Sequence, residues 1–163
     1  TYRTLLGHFR HEIGHYYWDL LVRDGPRLDE FRALFGDDRA DYGEALARHH
    51  SDGAPADWQA THVSAYATAH PWEDWAETFA HYLHIVDALE MAAAFGIRVD
   101  DEAEVAADPY RMTATGPLID AWLPLSMAAN GLNRSMGQPD LYPFVLSSGA
   151  IAKIGFVQSV IQA

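Results

Sequence analysis

The five-residue string HEIGH at positions 11–15 constrains this chain more than any other feature of its sequence. His11 and His15 are four residues apart, and on an α-helix this spacing places both imidazoles on one face, one turn apart. Two imidazoles held in this way can supply two ligands of a tetrahedral zinc ion. Glu12 lies further round the helix, where its carboxylate can reach a water bound to the metal. The string therefore requires a helix, and it predicts zinc-dependent hydrolysis with Glu12 as the general base.

The residues around HEIGH have the apolar spacing of a helix. Apolar and aromatic side chains recur every three or four residues through positions 4–22, and Gly25-Pro26 ends the pattern. Gly14 inside this helix costs roughly 1 kcal/mol relative to alanine. We therefore expect another element or a substrate to approach the helix closely at Gly14.

The composition limits both the ligands and the partners of the chain. It has 163 residues, a net charge of −12 and no cysteine. It is long enough to form one domain around a hydrophobic core, and its acidity argues against binding to nucleic acid. Because cysteine is absent, His, Asp and Glu are the available metal ligands. The sequence contains no apolar run of transmembrane length and no signal-peptide pattern, so we expect a cytoplasmic location and no membrane partner.

The remaining pattern predicts a mainly α domain with little or no β-sheet. Apolar spacing and Pro/Gly boundaries indicate the elements. In chain order we expect helices at 26–35 and 41–50, a short extended piece within 61–70, a long helix at 71–95, a loop at 97–116, a helix at 117–135, a loop at 133–143, and a final helix from 144 to the end.

A catalytic zinc site needs a third protein ligand. The metzincin spacing would place a third histidine at the position of Leu21. The thermolysin spacing would place a glutamate at the position of Phe35. Neither residue can bind zinc. Glu73 and Glu77 share one face of the predicted long helix, so one carboxylate can bind zinc while the other accepts a hydrogen bond from a ligating histidine. An acidic first turn favoured by the helix dipole also explains Glu73. Glu77 fits that explanation less well, because it stands in an apolar stretch where an unused charge is costly.

Three segments of the chain resemble the bacterial family named "putative zinc-binding metallopeptidase", and more broadly the gluzincins. They are FRHEIGHYYW, SAYATAHPWEDWAETFAHYLHI and GQPDLYPFVLS. The resemblance implies a compact zincin-like fold and hydrolysis of a peptide or protein substrate with one Zn²⁺ ion. Related gluzincins such as anthrax lethal factor and the proline-proline endopeptidases carry a Glu-x-x-Ala-Glu-like element. By that resemblance Glu73 is the zinc ligand, Glu77 supports a ligand from behind, and Tyr66, seven residues before Glu73, steadies the oxyanion.

The chain also departs from the pattern of this family. Its members often carry a zinc ribbon before the peptidase domain, and none is present here; nor is there room for the β-sheet that usually precedes the HExxH helix. Because the chain begins without methionine a few residues before that helix, we expect residues 1–163 to be a single catalytic domain of a longer protein. An edge strand that aligns the substrate would then lie outside this segment.

Two further residues are candidates for the substrate pocket. His70 comes immediately before the predicted ligand helix, and Tyr142 lies in the loop before the last helix. Two other interpretations stay open at this point. The chain can be a zinc-bound protein-interaction module without catalysis, or a purely structural helical domain in which these residues coincide by chance. The sequence does not indicate an oligomeric state.

Overall fold

A computed structural model describes residues 4–99 and 108–163 of the chain. The domain is 70% helical, and the described residues form six α-helices and no strand, which confirms the prediction of a mainly α fold. None of the helices in these ranges is both long enough and apolar enough to cross a membrane. The helices are α1 (Leu5–Trp18), α2 (Leu28–Phe35), α3 (Tyr42–Asp52), α4 (Pro71–Ala94), α5 (Thr115–Ser135) and α6 (Ser148–Ile161).

Helix α4 lies at the centre of the domain, and α1 packs along it. The contact is close at Gly14, where an added Cβ would lie 3.2 Å from the Cα of Ala76 and 3.3 Å from the side chain of Phe79. The indole N–H of Trp75 donates to the carbonyl of Gly14 at 2.9 Å. The close approach predicted at Gly14 is therefore confirmed, and the element that approaches is α4.

A cluster of aromatic rings fills the space beneath α1 and α4. Phe31 and Trp75 are fully buried, and their ring centroids are 6.3 Å apart. Burial of each such side chain stabilises the fold by roughly 1.5–3 kcal/mol. The cluster joins α1, α2, α4 and α6 through Trp18, Phe31, Phe35, Trp75 and Phe156.

The start of α4 is set by its first two residues. His70 is the N-cap, and its Nδ1 accepts a hydrogen bond from the backbone N–H of Trp72 at 3.1 Å. Its Nε2 donates to the carbonyl of Ala40 at 3.1 Å. Pro71 follows at the first helical position, where its missing N–H costs nothing. The cap and the proline therefore determine that Glu73 lies in the first turn, where the helix dipole favours a carboxylate.

One predicted element is wrong in kind, and another is a helix as predicted but changes its hydrogen-bond pattern near its end. Residues 61–70 contain no strand; they form turns and a short 3₁₀ helix, Tyr66–Thr68. The Ser64 and Thr68 hydroxyls pair with the nearby backbone groups of Ala67 and Ala65, and such local bonds compete with an extended conformation. The HEIGH helix does not continue unchanged to residue 22, because a π-helical turn, Asp19–Arg23, follows Trp18.

Other differences concern the limits of elements. The final helix begins at Ser148 rather than at 144, because Ser147 caps it by accepting from the N–H of Ala150. Helix α5 begins at Thr115 instead of 117. Within the loop predicted at 97–116, Pro109–Arg111 form a 3₁₀ turn, and residues 100–107 lie outside the described residues.

The N-terminal half of α1 leaves several apolar side chains in solvent. Leu5, Leu6 and Phe9 are all exposed. The face of α1 that α4 covers carries instead Gly7, His11, Gly14 and Trp18, spaced three and four residues apart. The buried stripe of this helix therefore contains a histidine of the HEIGH string.

The Gly14 contact yields a stability prediction. We expect Gly14→Ala to lower the free energy of unfolding by about 1–3 kcal/mol, because the methyl group must displace the α4 backbone at Ala76. Gly131→Ala is the matched control, since Gly131 lies in α5 with nothing within 4 Å of its added Cβ. That control should raise the free energy of unfolding by up to about 1 kcal/mol. Urea denaturation measures both, and equal effects would contradict the packing assigned to Gly14.

Candidate metal centre

Three side chains from two helices converge on one point. His11 and His15 come from α1, and Glu73 comes from the first turn of α4. The Nε2 atoms of the two histidines are 3.1 Å apart. The Oε2 atom of Glu73 lies 3.1 Å from the Nε2 of His11 and 3.7 Å from the Nε2 of His15. These three atoms form a triangle that could hold a metal ion.

The triangle has the size that zinc requires. Zinc–ligand bonds of about 2.0–2.1 Å in a tetrahedron place the ligand atoms roughly 3.3 Å apart, and the three distances bracket that value. The Oε2 of Glu73 is buried and has no hydrogen-bond partner of good geometry among the described residues. An unsatisfied buried carboxylate oxygen is costly unless a cation binds it. Two imidazoles and one carboxylate are also a ligand set that catalytic zinc sites use.

The charges around His11 favour a cation at this point. Its Nδ1 lies 2.8 Å from the Oε1 of Glu77, and its Nε2 faces Glu73. Burial lowers the pKa of His11, but the adjacent carboxylates of Glu73 and Glu77 outweigh burial and raise that pKa to about 9. The two carboxylates therefore stabilise positive charge between them, as a metal site must.

Glu77 contacts His11 on the side of the ring that faces away from Glu73 and His15. Its Oε1 accepts the hydrogen bond from the Nδ1–H of His11, so the Nε2 of His11 is the ring atom that faces Glu73 and His15 and would be left to bind a metal. The hydroxyl of Ser64 donates to its Oε2 at 2.5 Å. Burial raises the pKa of Glu77, but the bonds from His11 and Ser64 outweigh burial and lower it.

Tyr42 and Trp72 are additional members of the site that the sequence reasoning missed. The hydroxyl of Tyr42, at the start of α3, donates to the Oε1 of Glu73 at 2.6 Å. Burial raises the pKa of Glu73, but the adjacent imidazoles of His11 and His15 and the hydrogen bond from Tyr42 hold that pKa well below its ordinary value. The ring of Trp72 lies 3.9 Å from the ring of His15, measured between centroids. No spacing in the sequence connects Tyr42 with α4, so no signal in one chain could have found it.

Ser64 is another residue of the site that the sequence did not predict, although it lies close to the candidate Tyr66. It lies two positions before Tyr66, within the segment SAYATAH that carried the family resemblance. The available signal was a serine close to the candidate Tyr66. The extended conformation predicted within residues 61–70 did not indicate that the Ser64 hydroxyl would contact Glu77.

A cleft of about 900 Å³ opens beside the three converging side chains. Glu12 and Tyr66 both line it, together with His11 and Glu77. The carboxylate of Glu12 is 58% exposed, and its Oε1 lies 3.7 Å from the Nε2 of His8. The Tyr66 ring is 6.1 Å from the His11 ring, measured between centroids. The candidate base and the candidate oxyanion donor thus share one solvent-filled space next to the ligands.

The two candidate pocket residues lie elsewhere. His70 caps α4, and its ring is 5.4 Å from that of Tyr42, so it adjoins the support of Glu73. Tyr142 is buried, and its hydroxyl pairs with the Nδ1 of His81 at 2.8 Å. Neither belongs to the lining of the cleft in the part of the chain that the structure describes.

Comparison with known proteins places this geometry in a family. The chain is 52% identical over 166 residues to uncharacterized proteins from Mycobacterium tuberculosis and Mycobacterium bovis. The match covers 98% of this chain and 47% of each relative, so the chain spans about half the length of the curated relatives it matches. No solved structure matches at a significant level. A family model described as "Putative zinc-binding metallo-peptidase" matches residues 1–160, and the chain belongs to that family.

Proposed function

We propose that the domain is a zinc-dependent peptidase of the gluzincin type that hydrolyses peptide bonds with one Zn²⁺ ion. The observation that carries this proposal is the convergence of the Nε2 atoms of His11 and His15 with the Oε2 of Glu73. The family description supports zinc binding and peptidase activity at a coarse level. The ligand set, the mechanism and the activity of the longer whole protein are parts of the proposal.

Each residue of the cleft has a role in the proposed reaction. Zn²⁺ bound by the three ligands would polarise the scissile carbonyl and lower the pKa of a water toward neutrality. The Glu12 carboxylate accepts a proton from the attacking water and delivers it to the leaving amine. The Tyr66 hydroxyl donates a hydrogen bond to the oxygen on which negative charge develops. Both side chains line the cleft that a substrate must enter.

Two supporting groups hold the ligands in place. Glu77 orients His11 through its Nδ1–H, and Tyr42 orients Glu73 through its Oε1. Such partners fix the direction of a ligand lone pair and increase metal affinity.

The alternative function is a zinc-binding interaction module that does not catalyse hydrolysis. It predicts the same zinc affinity with no turnover, and the exposed apolar residues of α1 would be its contact surface.

The role of Glu12 is tested by Glu12→Gln. We expect this variant to bind zinc as tightly as the wild type, while kcat falls by at least about 100-fold, because the amide cannot accept the proton. Glu90→Gln is the control, since Glu90 is an exposed glutamate far along α4. Cleavage of a mixed peptide library, followed by mass spectrometry, measures turnover. Full activity in Glu12→Gln would contradict the mechanism, and zinc binding without turnover in the wild type would favour the interaction module.

Substitutions of the neighbouring residues Glu73 and Asp74 should have different effects, the first on zinc affinity and the second on stability. We expect Glu73→Gln to weaken zinc binding by more than the roughly 10- to 100-fold that loss of a supporting group costs. Asp74 is 1% exposed and pairs with Lys153 at 2.5 Å. Burial raises the pKa of Asp74 to about 7, so this carboxyl group is ionised at pH 8. Asp74→Asn at pH 8 should therefore cost about 3–5 kcal/mol of stability, because Lys153 keeps an uncompensated charge.

These two effects are measured separately. Zinc affinity is determined by competition with a chelator on folded protein, and stability is determined by urea denaturation at pH 8. If Asp74→Asn weakens zinc binding as much as Glu73→Gln does, the assignment of Glu73 as the ligand is wrong.

Substitutions of the two tyrosines near the proposed ligands, Tyr66 and Tyr42, should also have different effects. We expect Tyr66→Phe to reduce kcat by about 10²–10³-fold, as the loss of an oxyanion donor does, without a change in zinc affinity. Tyr42→Phe removes the hydrogen bond to Glu73 and should reduce zinc affinity about 10- to 100-fold, with a small effect on kcat at saturating zinc. Kinetics on one cleaved peptide and zinc titration test both, and a reversed pattern would exchange the roles of the tyrosines.

A further inference from the structure

The second half of the connection between α5 and α6 has no regular structure. It runs from a bend at Leu141 to Ser147, the N-cap of α6. Pro143 and Phe144 line the cleft that contains Glu12 and Tyr66. Leu141 and Pro143 also line a neighbouring cavity of about 620 Å³. The segment therefore runs along the side of a space that extends past the candidate metal centre.

The segment is held firmly at Tyr142. The side-chain amide of Asn130 donates to the carbonyl of Tyr142 at 2.7 Å and accepts from its N–H at 2.9 Å. The hydroxyl of Tyr142 pairs with His81, and the Phe144 ring lies 4.6 Å from the His81 ring. Backbone and side chains thus fix the segment against α4 and α5, so its position does not depend on a ligand.

The side chains of the segment alternate as those of a strand do. Tyr142 is buried, Phe144 and Leu146 are partly buried, and Leu141 and Val145 are exposed, Val145 by 80%. Pro143 fixes its own φ and favours an extended conformation at Tyr142. This pattern is typical of an extended chain packed on one face.

The main-chain groups of the segment are paired on one side. In an extended chain the N–H and C=O groups of successive residues point to opposite sides. Both groups of Tyr142 face Asn130. From the extended pattern we infer that the carbonyl of Pro143 and the N–H and carbonyl of Val145 point away from α5. Neither Pro143 nor Val145 makes a main-chain hydrogen bond to any residue that the structure describes. Pro143 lines the cleft and the exposed Val145 lies just outside that lining, so the two form an edge that begins at the cleft.

We propose that residues 141–146, the cleft edge, bind an extended peptide substrate by main-chain hydrogen bonds and direct it toward Glu12. The Pro143 carbonyl accepts from the substrate, and the Val145 N–H donates to it. Main-chain pairing of this kind gives affinity for any extended sequence, with side-chain preference left to the adjoining pockets. The substrate class is therefore an unfolded or extended protein segment, and this inference rests on the proposed peptidase function.

The donor at position 145 is tested by Val145→Pro with Val145→Ala as the matched control. Both remove the exposed side chain, but only proline removes the N–H. We expect Val145→Pro to raise KM roughly three- to tenfold, the effect of one lost hydrogen bond, with kcat nearly unchanged. Val145→Ala should behave as the wild type. Equal KM values for the two variants, whether raised or unchanged, would overturn the cleft edge as the binding element.

A second measurement does not depend on turnover. Zinc-loaded Glu12→Gln protein is mixed with a pool of unstructured synthetic decapeptides, and amide hydrogen exchange is followed by NMR. We expect slower exchange of the Val145 amide in the presence of the pool, while the amide of Glu90, far along α4, is unaffected. Unchanged exchange at Val145 overturns the inference. If Val145 is protected but the wild type cleaves nothing, the peptide edge stands and the peptidase function fails.

Discussion

The close contact between α1 and α4 at Gly14 is the constraint on which the rest of the structure depends. The absence of a side chain at Gly14 lets the two helix backbones meet at Ala76, and the bond from Trp75 to the Gly14 carbonyl fixes their relative position. His11 and His15 lie on either side of Gly14 along α1, and Glu73 lies one turn before Ala76 and Glu77 next to it on α4. One contact therefore brings both halves of the site together. A wider spacing between the helices would separate the Nε2 atoms from the carboxylate oxygen and leave buried polar groups without partners.

The first turns of α4 carry three carboxylates within five residues, of which two are buried and one is partly buried, and each has its own compensation. Glu73 is held by the two histidines and Tyr42, Glu77 by His11 and Ser64, and Asp74 by Lys153. Unpaired charges in such surroundings would cost several kcal/mol each. The partners come from α1, α3, α6 and the segment before α4. The charge balance of the site therefore links most of the domain, although the reacting atoms occupy one small region.

The features that depend on spacing within one helix could be predicted from the sequence. The helical setting of HEIGH, the long helix from Pro71 and the shared face of Glu73 and Glu77 all follow from a period of 3.6 residues. Tyr42 and Ser64 could not be assigned, because their contacts with α4 join residues 31 and 13 positions apart that no local pattern relates. The extended piece expected within 61–70 was wrong because hydroxyl-to-backbone bonds there favour turns. Apolar spacing also gave no indication that Leu5 and Phe9 would stay exposed while His11 is covered.

The residues of the site differ in solvent exposure, and these differences agree with their proposed roles. Glu73 and His11 are buried, and packing and hydrogen bonds restrict the directions of their ligand atoms. Such preorganisation raises metal affinity, because little conformational entropy is lost when the ion binds. Glu12 lies one residue from His11 but faces the cleft, where a base must meet both water and substrate. A helix satisfies both needs at once, since a rotation of about 100° between neighbouring residues separates a buried ligand from a solvent-facing base. The adjacent cleft edge lies outside the helices, and this placement agrees with its proposed role: a helix uses its own main-chain groups, whereas an extended segment with an unpaired edge can offer them to a peptide.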